Sequence, residues 1–433
     1  MAETIIQFGE GNFLRGFFDY LLDVMNKNGF YDGKAVVIQP RNSNKVQALN
    51  EQKCEYNLYL RGVQNGELKQ EHSLIQSISR CVDPYKNFGD FIALADSPDF
   101  RFVVSNTTES GIEFREEPFS ENEACTTFPA KVTQLLYRRF QNNLSGFVFL
   151  PCELIDNNAD KLKQCIIIYA NYWLLPKDFL TWIEKENEFS NTLVDRIVTG
   201  YPDDEIADRH KDDKFLNTGE IYHLWVIEGN FENELSLKKA GFNVVWTDNV
   251  APYKKIKVRI LNGAHTSLVA AGLLCGIKTV GECTKDKVVS SFLSECMEEI
   301  LSVFNSVESR AFADAVFDRF KNPFINHKLE SIALNSISKF SVRVLPTILE
   351  YKEMYEAYPK HLLLSLALLI YFYKNSNPQD DESTIAFIKN NNVTDILKNS
   401  VLWGRDISFL AEDVIKYYET AQTQGVKNTI EAL

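Results

Sequence analysis

The chain has 433 residues, 45% of them hydrophobic and 24% charged, which suits a folded globular protein and excludes wholesale disorder. Lys and Arg number 46 against 59 Asp and Glu, and the net charge of −13 is the wrong sign for a protein that displaces counterions from nucleic acid. This length predicts two domains.

The N-terminus has no basic segment leading into an apolar stretch, and the longest apolar run, Leu362 to Tyr373, falls well short of the roughly 20 residues that cross a bilayer. Neither export nor a membrane is expected, and the reading places the chain in the cytoplasm. The eight cysteines include no Cys-x-x-Cys pair and no His at ligand spacing, so reduced thiols are expected and a metal is not.

Thr4–Phe8 is a short β-rich run that enters a glycine turn, Gly9-Glu10-Gly11-Asn12-Phe13-Leu14-Arg15-Gly16. Phe13, Leu14, Phe17, Phe18, Leu21, Leu22 and Met25 then recur at helical spacing, and Gly29 can cap the helix. A second apolar run, Ala35–Ile38, completes a β-α-β unit and implies a parallel sheet. Further strand runs at 101–105 and 146–150 alternate with helical patterns at 84–96, 128–143 and 157–173. Between them, 55–80 reads as an antiparallel insertion, because Asn65-Gly66 separates two β-rich runs.

A polar acidic stretch at 202–213 breaks the alternation, and β-rich runs fade beyond about residue 228. Seven helical patterns follow, at 252–275, 285–306, 308–320, 327–338, 342–357, 360–374 and 405–422. The expected organisation is an α/β nucleotide-binding domain over 1–220 and a mainly helical domain over 221–433, with the change at 215–228.

Three motifs carry possible chemistry. A strand that turns at Gly9 and Gly11 into a helix aims free N–H groups at one point, which suits a pyrophosphate. Leu14 stands where a third glycine is usual, so a tight turn without a ligand also satisfies the pattern. At the end of the second strand no acid is present. Gln39 can bind a ribose hydroxyl and Arg41 a 2′-phosphate, which leaves NAD and NADP both open.

The second motif is Lys257, Asn262 and His265. On an α-helix Asn262 and His265 lie about 140° and about 80° from Lys257, so all three share a face. A lysine in a dry pocket can serve as a base near neutral pH, and the amide and imidazole can donate to a carbonyl oxygen that turns negative. The plainer alternative is a helix start with a solvated lysine. The third motif is Lys339 and Arg343, four residues apart, which on one helix face can clamp an anion or simply lie in solvent.

Taken together, these pieces resemble the polyol-specific long-chain dehydrogenases, the mannitol dehydrogenase family. Its metal-independent site reads Lys-x4-Asn-x2-His, which Lys257, Asn262 and His265 match, and its nucleotide turn matches Gly9, Gly11, Asn12, Phe13 and Arg15. Ser105 to Gly111, Asn191 to Ile197, Trp225 to Glu228 and Arg319 to Pro323 match as well. The resemblance implies a Rossmann-type domain that holds the cofactor at Phe8, Gly9, Glu10, Gly11, Asn12, Phe13, Gln39, Asn106, Thr107 and Thr108. It also implies Lys257 as general acid/base, Asn262 polarising the reacting oxygen, and His265 orienting substrate or lysine.

Within the family, Ile6 to Arg15, Pro151 to Asp156, Leu261 to Thr266 and Lys339 to Pro346 are similar to a branch that acts on hexuronates. That similarity implies NAD(H) and a reversible ketone–alcohol conversion of a small hexuronate, with no metal. Two departures from the polyol branch agree. Leu154 replaces an asparagine that helps bind the oxyanion, and Lys254 stands where a glutamate is usual. Positive charge at Lys254, Lys339 or Arg343 suits a substrate carboxylate. A neutral ketose, a sibling hexuronate, or a nucleotide sensor without catalysis are the alternatives.

Overall fold

The computed structural model describes residues 1–304 and 306–433. By contacts the chain divides into two compact units, Met1–Arg61 with Lys69–Ala251, and Gly62–Leu68 with Pro252–Leu433. The first unit therefore continues beyond the 215–228 stretch where the sequence suggests a boundary. The cause is a small sheet in which Leu224–Glu228 pairs antiparallel with Thr192–Asp195 and parallel with Val244–Thr247. The last of these strands, Val244-Val245-Trp246-Thr247, is β-rich but only four residues long and set among polar ones, so it does not extend the strand-and-helix alternation on its own.

The first unit is built on six parallel strands, β1 (Ala2–Phe8), β2 (Gly33–Ile38), β3 (Ile78–Val82), β4 (Phe102–Ser105), β5 (Val148–Pro151) and β6 (Glu188–Phe189). Their order across the sheet is β3-β2-β1-β4-β5-β6, with every neighbouring pair parallel. This is the doubly wound order, in which the connection reverses between β1 and β4 and a ligand crevice opens beyond the carboxyl ends of those two strands. Successive side chains face opposite cores. Ile6, Val103 and Phe149 pack with Phe91, Phe128 and Ile166, while Ile5, Phe102, Val104 and Leu150 pack with Phe17, Leu21 and Trp225.

The expected hairpin is present. Tyr56–Gln64 and Glu67–Ile75 are joined at Asn65 and Gly66, both at positive φ (54° and 77°), the backbone that a two-residue hairpin turn demands. The two strands extend a four-stranded sheet through Asn217–Gly219 and Val198–Gly200. The end of the expected insertion departs from the reading: Ile78–Val82 is β3 and pairs parallel with β2, because its buried face is needed on the main sheet.

The second unit is helical. Gly263–Leu274 is buried from Gly263 to Gly272 and packs with Lys287–Phe304, Leu329–Ala333, Ser336–Arg343 and Lys360–Asn375. Helices expected at 327–338 and 342–357 are divided differently, into Leu329–Ala333, Ser336–Arg343 and Leu345–Tyr355. Asn335 breaks the run because it sits in the left-handed region at φ 52°. Among the described residues, no helix is long and apolar enough to cross a membrane.

Trp225 is fully buried, with its ring edge-on to Phe17 (5.5 Å) and Phe18 (5.9 Å), and so joins the Thr192–Asp195 sheet to the helix after the glycine turn. Trp225→Ala is expected to cost about 3–5 kcal/mol in chemical denaturation. A loss below about 1 kcal/mol would show that this packing does not join the two layers.

Candidate active site

β1 ends at Phe8 and the chain turns at Gly9, whose φ of +125° is closed to side-chain-bearing residues. A Cβ at this position would stand 2.9 Å from the Asn106 carbonyl oxygen beyond β4. Gly11, exposed and extended, is the N-cap of Asn12–Gly16 and has no side chain to bond the first helical N–H groups. Those groups remain available to an anion. The Phe8 ring is buried against Phe91 and Phe128, so only its backbone faces the crevice, while the partly exposed Phe13 ring stacks on Phe17.

The turn is held from below by Arg15, a residue whose role the sequence does not disclose beyond its match to the family motif. Its buried guanidinium donates to Glu10 O (3.2 Å), to Asn12 Oδ1 (2.6 Å) and to Phe215 O, and lies 5.2 Å from the ring centroids of both Tyr56 and Phe215. Tyr56 Oη sits 2.7 Å from Arg15 O and 3.2 Å from Asp19 Oδ2. Burial pushes the Asp19 carboxyl up to about 7, against the opposing pull of Tyr56 and Arg15.

Beyond β4, Asn106 Nδ2 donates to Cys152 O (2.7 Å), while Thr107 donates to Glu153 through both N (2.9 Å) and Oγ1 (3.0 Å). Glu153 also accepts from Ser105 Oγ (3.0 Å) and is 2% exposed. Thr107 is thus committed to shaping the loop, and Glu153 is a structural carboxylate that motif reading passed over. Burial raises its pKa, against these donors. Thr108 stands exposed at φ +102° and accepts from Arg41 (3.2 Å).

At the end of β2, Gln39 N donates to Val82 O (3.0 Å) and its side-chain oxygen accepts from Ser43 (3.0 Å). Its Nε2 is buried with no partner among the described residues. Buried Lys131 secures the next peptide, with Nζ donating to Pro40 O (3.2 Å) and Thr126 O (2.7 Å). The side chain a dinucleotide would exclude at Gly9, the uncapped N–H groups and the unpartnered Gln39 amide together fit such a group.

In the second unit, Lys257 ends the helix Ala251–Lys257, which passes through a π-helical turn, Val258–Asn262, into Gly263–Leu274. Gly263 N donates to Val258 O, five residues back. The uninterrupted α-helix expected from the spacing is therefore replaced by a wider turn. At about 85° per residue through it, Asn262 moves to about 65° from Lys257 and His265 to about 5°. On ideal geometry the three positions thus fall within about 65° of one another around the axis, a narrower arc than an uninterrupted α-helix gives. Arg259 fixes the turn by donating to Thr347 Oγ1 (2.7 Å) and Glu350 Oε1 (3.0 Å).

Lys257 and Asn262 are partly exposed, whereas His265 is 9% exposed. The His265 ring lies 4.4 Å from that of Phe320 and meets His327 edge to face at 4.8 Å. Its Nε2 has no partner among the described residues. Burial first, then His327, Arg319 and Arg343, hold this imidazole well below its ordinary value, so it is neutral near pH 7 and keeps one donor and one acceptor.

The other pair shares the helix Ser336–Arg343, as expected, but its two members are engaged differently. Lys339 Nζ donates to Ile332 O (3.0 Å), at the end of Leu329–Ala333, and so caps a helix. Arg343 is half-buried and makes no hydrogen bond or ion pair with the described residues, and burial lowers its pKa. Among the described residues, no group of three or more His, Cys, Asp and Glu side chains is placed to hold a metal.

Residues 3–239 match the mannitol dehydrogenase Rossmann domain and residues 249–427 the mannitol dehydrogenase C-terminal domain. The chain belongs to the mannitol dehydrogenase family. It is 41% identical to the altronate oxidoreductase of Bacillus subtilis (strain 168), covering 99% of this chain and 95% of that one. It is 39% identical to the altronate oxidoreductase of Cronobacter sakazakii, covering 100% and 97%. Two solved structures share the fold. A substrate-free D-sorbitol dehydrogenase has a TM-score of 0.86 at 21% identity, covering 99% of this chain and 95% of that one. The Pseudomonas fluorescens mannitol 2-dehydrogenase, in complex with NAD and D-mannitol, has a TM-score of 0.71 at 22% identity, covering 100% and 94%.

The buried neutral His265 predicts acid sensitivity. Its folded pKa is depressed, so below its ordinary value near 6.5 the unfolded chain takes up a proton that the native ring refuses. Between pH 7 and pH 5 this removes on the order of 2 kcal/mol of stability. Urea titrations at both pH values are expected to show a smaller acid loss in His265→Asn than in the wild type. Equal losses would mean that the ring is not held neutral.

Proposed function

We propose that this chain is an NAD(H)-dependent oxidoreductase that interconverts D-altronate and D-tagaturonate. The observation that carries the reading is the π-helical turn that sets Lys257, Asn262 and His265 on one side of their helix, in the same unit as a half-buried Arg343 that has no partner among the described residues. Full-length similarity to altronate oxidoreductases points to the same sugar acid. The bound nicotinamide supplies the hydride acceptor or donor.

The chain's own residues do the rest. The backbone at Gly9–Asn12 receives the pyrophosphate and Gln39 the ribose hydroxyl, while Asn106, Thr107 and Thr108 shape the crevice beyond β4. In the reducing direction Lys257 gives its Nζ proton to the ketone oxygen as that oxygen turns negative, and it recovers a proton from solvent afterwards. Asn262 donates its amide N–H to the same oxygen and stabilises the charge before the proton arrives. Neutral His265 holds a neighbouring substrate hydroxyl or the lysine in position without adding a competing charge.

Arg343 binds the substrate carboxylate, where a planar fork of donors matches two oxygens. Lys339, committed to Ile332 O, adds its field rather than a contact. The partner is a small hexuronate, and the free thiols of the eight cysteines suit a reducing cytoplasm.

Lys257→Met is expected to lower kcat for tagaturonate reduction by about a thousandfold, with the dissociation constant of NADH within a factor of about two by fluorescence titration. A folded variant that loses NADH binding, or that keeps more than a tenth of the turnover, would remove Lys257 from the proton transfer.

A further inference from the structure

Cys54 and Cys81 stand apart from the other six cysteines of the chain. Their sulfurs lie 3.7 Å apart in the core of the first unit, and the two residues are 2% and 7% exposed. Cys81 is on β3, in register with Val37 of β2, while Cys54 follows the helix Lys45–Glu51. One side chain holds both. Asn50 donates Nδ2–H to Cys81 O (2.8 Å), and its Oδ1 accepts from Cys81 N (2.8 Å) and from the Cys54 thiol (3.3 Å). Asn50 thereby fixes the backbone of one cysteine and the rotamer of the other.

We propose that Cys54 and Cys81 are a dithiol pair that closes to a disulfide when the folded protein meets a small hydroperoxide or a small-molecule disulfide. A disulfide needs its sulfurs about 2.05 Å apart, so closure is a rotation about the side-chain bonds with a small backbone shift. The shift falls on Cys54, in the left-handed region (φ 58°) of the turn that ends the helix, and not on the strand that Asn50 pins.

The chemistry balances. With a hydroperoxide, the Cys54 thiolate attacks oxygen and becomes a sulfenic acid as the O–O bond breaks and the alcohol or water leaves. The Cys81 sulfur then attacks Cys54 and expels hydroxide, which takes the remaining proton, so two thiols give one disulfide and one water besides the leaving molecule. With a small disulfide, a mixed disulfide on Cys54 is displaced by Cys81 and two small thiols are released. Cys54 is the suited nucleophile. The neighbouring Cys81 thiol donates to it and lowers its pKa, whereas burial raises the thiols of Cys125, Cys152, Cys165, Cys275, Cys283 and Cys296.

The location gives the bond a consequence for the cofactor half. Helix Lys45–Glu51 follows directly on the 39–44 segment, which carries Gln39, and Gln39 N is bonded to Val82, the residue after Cys81. A tether between Cys54 and β3 therefore stiffens the frame on which Gln39 stands.

The test uses the reduced full-length chain, treated with hydrogen peroxide or oxidised glutathione, then alkylated and weighed intact. Two of the eight thiols are expected to disappear with a mass loss of two hydrogens and a peptide cross-link between residues 54 and 81, all reversed by dithiothreitol. Cys54→Ser and Cys81→Ser should each abolish the mass loss, while Cys165→Ser should leave it intact. An unchanged thiol count, a stable glutathione adduct, or a two-hydrogen loss that survives Cys54→Ser would each overturn the proposal.

Discussion

The close approach of Gly9 to the Asn106 carbonyl is the constraint on which the first unit's site rests. It brings the ends of β1 and β4 together where the strand order reverses, and any side chain at residue 9 would push them apart. Arg15 then ties Glu10, Asn12 and Phe215 into one frame, and Glu153 does the same for Ser105 and Thr107. Neither charged group is free to bind a ligand. Both spend their hydrogen-bonding capacity on backbone and side chains that must be still before an anion arrives, which is what preorganisation requires.

A comparable constraint shapes the second unit. Five residues of π-helix between two α-helical stretches narrow the arc over which Lys257, Asn262 and His265 are spread on ideal geometry, and Arg259 holds the widened turn through Thr347 and Glu350. The groups that, after burial, push His265 toward its neutral form are His327, Arg319 and Arg343. A half-buried guanidinium with no partner among the described residues, near a neutral imidazole, suits a ligand that brings a carboxylate better than a neutral sugar. On the proposed reading, the chemistry at the lysine and the selection of an acid arise from different side chains of the same unit.

Much of this was legible in the sequence because it depends on local pattern. The β-α-β opening, the Asn65-Gly66 hairpin and the Lys257, Asn262, His265 spacing each follow from residues close in the chain. What escaped reading depends on distant partners. The strand Val244–Thr247 forms because Leu224–Glu228 offers it an edge, and Asn335 breaks a helix that periodicity alone would continue. The π-turn has no sequence signature at all. Lys339 and Arg343 looked equivalent by spacing, yet only the fold shows that a carbonyl has already taken the lysine.

The account turns on Arg343 as the reader of a carboxylate, and initial rates of NADH oxidation with tagaturonate and with fructose test it directly. The wild type should favour tagaturonate by at least about a hundredfold in kcat/KM, and Arg343→Leu should lower that rate about 10- to 100-fold while leaving fructose within about threefold. Equal losses on both substrates, or a wild type that prefers fructose, would contradict it.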